Sequence, residues 1–283
     1  MLKQPATYKQ QIEKLREHGC EVTDEAFCKE ALSRISYYRL SAYFLPFRTS
    51  QGKYKPNTKF EKVYNLYEFD RKLRSIIFSV IEELEVFLRA QLSYYHTHKY
   101  GTDGYMNPKN FNSRHNHVKF VERIAELLKS NSNTAFVKHH MNKYNGQLPL
   151  WVMSELFTFG MLSYFYADMI TIDQKHIARN IFNTSVANAK SWLYCCTDLR
   201  NICAHYGRLY YTIFSVVPAK SVDAKAKRSL YAVITALRTL YPDRNKWNNE
   251  FLLAMNALFD EYADVIELRH IGFPESWENE LRR

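Results

Sequence analysis

The sequence predicts an all-α fold, and three observations carry that prediction. Glycine and proline number only 8 each in 283 residues, which leaves few tight turns and favours long helices. Apolar residues recur at three- and four-residue steps along several stretches, the spacing of one helix face. No two segments alternate with period two around a hairpin turn, and neither an internal repeat nor a low-complexity linker is visible.

The elements follow in order. Residues 7–18 read as a short amphipathic helix closed by Gly19, a residue that tolerates the left-handed backbone of a helix end. Residues 23–35 form a second, with Thr23 and Asp24 as candidates to accept from its first free N–H groups. An aromatic run at 35–44 surrounds Arg39 and ends before Pro46, where a polar loop with Gly52 and Pro56 begins. Residues 60–98 carry the strongest helical pattern, with Ile76, Ile77, Val80, Ile81, Leu84, Phe87, Leu88 and Leu92 on one side, as one long helix or two. A loop at 101–116 precedes helices at 118–128 and 136–144, and Asn145-Gly146 marks a turn. Pro149 opens an apolar helix over 151–169, and 171–180 is a connector or short helix. Helices at 186–205, 221–240 and 248–268 follow, with a break at 242–247 and an irregular plug at 271–277. Residues 1–58 read as an N-terminal helical segment and 59–283 as a helical bundle with a C-terminal extension, or the two as one continuous domain.

Composition narrows the function. A hydrophobic content of 46% is enough for a sizeable core. The net charge of +10 favours polyanionic partners, nucleic acid first, and 21 tyrosines supply rings that can pack, donate or stack on bases. The 5 cysteines are odd in number and form no C-x-x-C, which argues against a disulfide framework or zinc site and fits a reducing cytoplasm. The polar N-terminal stretch does not read as a signal peptide. The most apolar segment, 148–170, is interrupted by Glu155 and Asp168 and falls short of the roughly 20 residues a membrane span needs. A cytoplasmic protein without membrane contact is expected. His115 with His117, and His139 with His140, lack metal-site spacing and a supporting carboxylate. With no glycine-rich phosphate loop and no nucleophile elbow, neither a metal nor a cofactor is expected.

The most informative stretch is Arg200-Asn201-Ile202-Cys203-Ala204-His205. A permanent guanidinium charge and an imidazole that can carry a proton near neutral pH suit phosphodiester cleavage without a metal. The imidazole moves a proton and the guanidinium holds charge on the phosphate oxygens. On an ideal helix residues five apart diverge by roughly 140°, so the pair flanks a groove or meets a substrate from two sides rather than sharing a face. Asn201 sits one turn before His205, and Asp198 lies on the same side, so either can orient the ring.

Other clusters have plainer readings. Glu82, Glu85 and Arg89 share a helix face, read as an intrahelical ion pair or as a polar cluster that orients Arg200 or His205. Arg89 and His96 share a side, but Tyr94 to His98 reads as a helix end with surface histidines. The charged run around Asp70 and Arg74 reads as a solvated face with dipole compensation. Tyr37, Tyr38, Arg39 and Tyr43 form either a packing segment or a surface that stacks on bases and binds phosphate, with Tyr38, Arg39 and Arg208 as the candidate RNA contacts.

The segment Arg200-Asn201-x-x-x-His205 resembles the R-x4-6-H signature of HEPN domains. The ordered set around it resembles the Abi-like abortive-infection proteins of the AbiD/AbiF kind. That set is Tyr37-Tyr38-Arg39-Leu40-Ser41-x-Tyr43, Phe69-Asp70-Arg71-x-Leu73-Arg74, Glu85-x-x-x-Arg89, Leu148-Pro149-x-Trp151, Phe159-Gly160 and Gly272-Phe273-Pro274-x-x-Trp277. The resemblance implies a HEPN-type helical bundle with additional N-terminal and C-terminal helices. It also implies an anti-phage, toxin-like, metal-independent endoribonuclease with Arg200, Asn201 and His205 in its active site and Glu85 and Arg89 in support. A homodimer is implied, because such sites pair two motifs and this chain carries one. RNA is the implied substrate and a small non-coding RNA an implied partner. The alternative is a non-catalytic RNA-binding or phage-sensing protein of the same fold.

Overall fold

Side-chain oxygens set where the helices begin. Thr7 accepts from the Gln10 N–H while the Gln10 side chain accepts from the Thr7 N–H, a reciprocal box that opens α1 (Tyr8–Glu17). Asp24 accepts from Phe27 at the start of α2 (Glu25–Arg34), and Ser36 accepts from Arg39 at the start of α3 (Tyr37–Ser41). A 3-10 turn at Ala42–Phe47 carries the chain past Pro46. The computed structural model describes residues 4–220 and 226–282.

The long pattern is one helix, α4 (Phe60–Tyr100). After it come α5 (His117–Ser130), α6 (Ala135–Lys143), α7 (Leu150–Met153), α8 (Phe159–Asp168) and α9 (Thr171–Asn180). They are followed by α10 (Val186–Ala204), α11 (Leu230–Leu240), α12 (Arg244–Lys246), α13 (Leu252–Glu261) and α14 (Trp277–Leu281). The fold is all-α. Among the described residues β-structure is limited to the isolated bridges Glu21–Lys59, Arg48–Tyr54 and Phe111–Met169.

Three expected helices are corrected. The apolar helix over 151–169 is broken: α7 gives way to a 3-10 turn, Phe157 is extended, and Thr158 caps a new helix by accepting from Met161. At the break Arg89 donates to the Phe157 carbonyl and to the Ser154 carbonyl, which also accepts from the Phe157 N–H. The helix expected over 221–240 starts at Leu230, where Ser229 caps it; residues 221–225 lie outside the described residues. The helix expected over 248–268 starts in a π-turn and ends at Glu261, because the backbone from Tyr262 onward bonds into turns instead.

The chain divides into two compact units, each built from separate stretches. The first comprises 1–77, 202–213 and 248–283. Its core includes Leu66, Phe69 and Leu73, and the C-terminal plug seats Phe273 and Trp277 on Phe259 at ring separations of 5.3 and 5.2 Å. The second comprises 78–201 and 214–247, with Leu84, Leu88, Phe159, Leu193 and Leu237 buried. All five cysteines are buried free thiols. Burial pushes Cys20, Cys28, Cys195 and Cys203 up to about 12, and Cys196 well above the usual thiol range. Among the described residues no helix is long and apolar enough to cross a membrane.

Candidate functional site

Helix α10 ends in a defined motif. The Gly207 N–H donates to the Ile202 carbonyl at 2.7 Å and the Tyr206 N–H to the Cys203 carbonyl at 3.2 Å. This is the Schellman pattern, with His205 as the C-cap residue and Tyr206 in the left-handed conformation at φ 58°. Tyrosine there costs roughly 1–2 kcal/mol relative to a right-handed conformation. Glycine is required one residue later, because a Cβ at position 207 would lie 2.9 Å from Ile202 Cγ2 and 3.1 Å from its carbonyl oxygen. His205 and Tyr206 are both exposed, whereas Cys203 and Leu209 on either side are buried. The imidazole therefore stands in solvent on a backbone anchored before and after it.

The second anchor is a carboxylate that the charge pattern placed on the surface. Asp70 is fully buried. It accepts from the Tyr210 N–H at 2.7 Å, the Leu209 N–H at 3.1 Å, the Tyr43 hydroxyl at 2.7 Å and Arg74 Nη1 at 2.5 Å. Arg74 also donates to the Gly207 carbonyl at 3.1 Å. Burial raises the Asp70 carboxyl above its ordinary range, opposed by Arg74, Tyr43 and the two backbone donors. The solvated-face reading of this segment is thus corrected for Asp70 and Arg74: the pair clamps the backbone just after His205. Its signal was available in the sequence. Asp70 falls in the same helical phase as Val63, Leu66, Leu73 and Ile77, all buried, and Arg74 is one turn further on.

Tyr38, Arg39 and Arg208 meet in a groove of about 640 Å³ within the first unit. Arg39 Nη1 donates to the Tyr206 carbonyl at 2.8 Å, and its guanidinium lies 6.0 Å from the Tyr206 ring centroid. Arg208 donates to the Ala42 carbonyl. Lys14 and Arg48 line the same groove, and among the described residues no carboxylate does.

The remaining candidates lie in the second unit. Glu85 Oε1 accepts from Arg89 Nη2 at 3.0 Å, and Glu85 Oε2 lies 3.6 Å from Arg200 Nε. Arg89 also donates to the Ser154 and Phe157 carbonyls at 2.7 and 3.0 Å, so it braces the break before α8. The Arg200 guanidinium is 6.0 Å from the Phe78 ring centroid, and its buried Nε has no hydrogen-bond partner among the described residues. Asn201 is exposed. Asp198 is half-buried, and burial raises its carboxyl. The expectation of surface histidines at the end of α4 is corrected for His96, which is fully buried against Tyr100, Phe111 and Phe165. Neither of its nitrogens has a hydrogen-bond partner among the described residues, and burial lowers its pKa to about 4.

The family model described as Abi-like protein matches residues 30–211. The chain belongs to the Abi-like protein family, which suggests a part in abortive infection. No curated protein and no solved structure matches the chain.

Proposed function

We propose that the protein is a metal-independent endoribonuclease of HEPN type acting in abortive infection against phage. The observation that carries the reading is the Arg200-Asn201-x-x-x-His205 segment in an Abi-like chain, with the imidazole in solvent and the guanidinium beside Glu85. RNA supplies its own nucleophile in the 2′-hydroxyl. His205 takes the 2′-hydroxyl proton as the 2′-oxygen bonds to phosphorus and the bond from phosphorus to the 5′-oxygen breaks. The leaving oxygen receives a proton from an acid, which the His205 of a second copy provides in a homodimer. Arg200 offsets the charge that builds on the non-bridging oxygens, and Asn201 orients the imidazole or bonds the phosphate.

The products are a 2′,3′-cyclic phosphate and a 5′-hydroxyl. Incubation of labelled RNA with purified protein in EDTA tests this, wild type beside His205→Ala. Removing the proton-transfer group is expected to slow cleavage by roughly 10²- to 10⁴-fold. Cleavage that survives in the variant, or 3′-hydroxyl ends, would overturn the mechanism. A second reading, RNA binding without cleavage, is favoured by the unneutralised arginines of the groove and keeps Arg200 as a phosphate ligand.

A further inference from the structure

The arginines of the first unit sort into two groups. Arg16, Arg34, Arg71, Arg74, Arg269 and Arg282 each pair with a carboxylate. Among the described residues of this unit, the arginines without a carboxylate partner are Arg39, Arg48 and Arg208, and all three line the one groove. Arg39 and Arg208 are held by backbone carbonyls, which fix direction without cancelling charge. Lys14 adds a fourth positive group, placed over the Tyr37 ring at 5.6 Å. Beside these cations stand two rings with little covering them: Tyr38 is 88% exposed and Tyr206 is 68% exposed. The groove volume of about 640 Å³ lies in the range of roughly 300–1,000 Å³ that holds a small-molecule-sized group.

Isolated phosphate would need the cations but not the rings. Duplex nucleic acid presents phosphates but hides its base faces in the stack. A single strand offers both, and stacking on aromatic rings beside a cationic track is how unpaired bases are held. The strained Tyr206 belongs to the same arrangement: its left-handed backbone directs its carbonyl to Arg39 and leaves its ring at the groove.

We propose that this groove is a docking subsite for single-stranded RNA, in which Arg39, Arg48 and Arg208 take phosphates and Tyr38 stacks on a base. The proposal rests on the ribonuclease reading for its choice of RNA and adds a binding step separable from cleavage. Because Tyr206 follows His205 directly, a strand in the groove runs past the imidazole.

The test measures binding of a fluorescein-labelled single-stranded RNA of about 12 nucleotides to the full chain carrying His205→Ala, at several salt concentrations between about 50 and 200 mM. Arg39→Gln with Arg48→Gln is expected to weaken binding tenfold or more. It should also flatten the dependence of log affinity on log salt by roughly 1 to 1.5, the share of two phosphates on a single strand. Tyr38→Ala is expected to weaken binding about fivefold or more with the salt slope unchanged. Arg34→Gln removes an exposed charge of the same unit outside the groove and is expected to change binding less than twofold. Circular dichroism melts of the exposed-residue variants report on folding independently.

Binding that is unchanged in the Arg39/Arg48 and Tyr38 variants would overturn the subsite, as would loss by Arg34→Gln equal to that of the groove variants. Equal affinity for the same sequence as DNA would overturn the assignment to RNA, and full competition by AMP at matched nucleotide concentration would reassign the groove to a free nucleotide. The two readings fail separately. Cleavage lost in His205→Ala with binding indifferent to the groove variants leaves the nuclease and removes the subsite. Groove-dependent binding with cleavage indifferent to His205 leaves the subsite and removes the nuclease.

Discussion

Helix α4 carries two carboxylate–arginine pairs at the same four-residue spacing, Asp70–Arg74 and Glu85–Arg89, and they are put to different uses. Asp70 is fully buried and saturated by two backbone N–H groups, a tyrosine hydroxyl and a guanidinium. Its charge is committed to holding a loop. Glu85 keeps partial contact with solvent and is divided between Arg89, at hydrogen-bond distance, and Arg200, at 3.6 Å. The long, imperfect contact leaves the Arg200 guanidinium only partly neutralised. Spacing makes a pair; what else reaches the carboxylate decides whether that pair is a lock or a holder.

The largest expected effect falls on the lock. Asp70→Ala strands a buried guanidinium and two N–H groups, and is expected to cost about 3–5 kcal/mol in a urea unfolding titration or to prevent folding. A loss under about 1 kcal/mol would mean that the clamp contributes little and the contrast with Glu85 is empty.

His96, on the same helix as both pairs, tests the opposite case of a titratable group buried with no charged partner at hydrogen-bond distance. Its pKa is lowered to about 4 in the fold, against about 6.5 when unfolded. The unfolded chain therefore binds the extra proton first as pH falls. Stability is full above about 6.5 and drains as pH falls through that value toward 4. Between pH 7 and pH 5 the expected loss is about 2 kcal/mol from this group. Replacing it by His96→Leu is expected to flatten that part of a stability–pH profile; an unchanged slope would show that other groups set it.

The smallest effect is expected at the holder. Glu85→Gln leaves Arg89 its two carbonyls and a neutral acceptor in place of the carboxylate, so a loss of about 1 kcal/mol is expected from thermal or urea melts. A loss matching that of Asp70→Ala would make both pairs structural and collapse the distinction.

Much of the fold was legible because helices announce themselves by phase and caps. Asp24 is an oxygen ahead of apolar periodicity that the structure uses as a cap, whereas Ser229 caps a helix whose start the local pattern places at 221. The break after α7 was not legible. It is braced by Arg89, more than sixty residues earlier, donating to Ser154 and Phe157, and a local pattern holds no trace of such a partner. The site divides in the same way. Exposure and ring chemistry near Arg39 and Tyr38 were readable from composition of the segment, whereas Arg48 as a third groove arginine was not, since nothing in its own neighbourhood marks it. Asp70, Arg74 and His96 are ionisable types that usually face solvent, yet all three are buried. Each sits in the phase of buried leucines, and phase was the better guide.

The buried thiols carry a practical consequence. A thiol held at about 12 has roughly three orders of magnitude less thiolate at neutral pH than a free one, and thiolate is the form that reacts. The native protein is therefore expected to react slowly with alkylating reagents until a region opens. Cys20, Cys28 and Cys203 belong to one unit, and Cys195 and Cys196 to the other. The chain thus carries its own clocks, set in both halves, and the order in which they start records which part of the molecule lets go first.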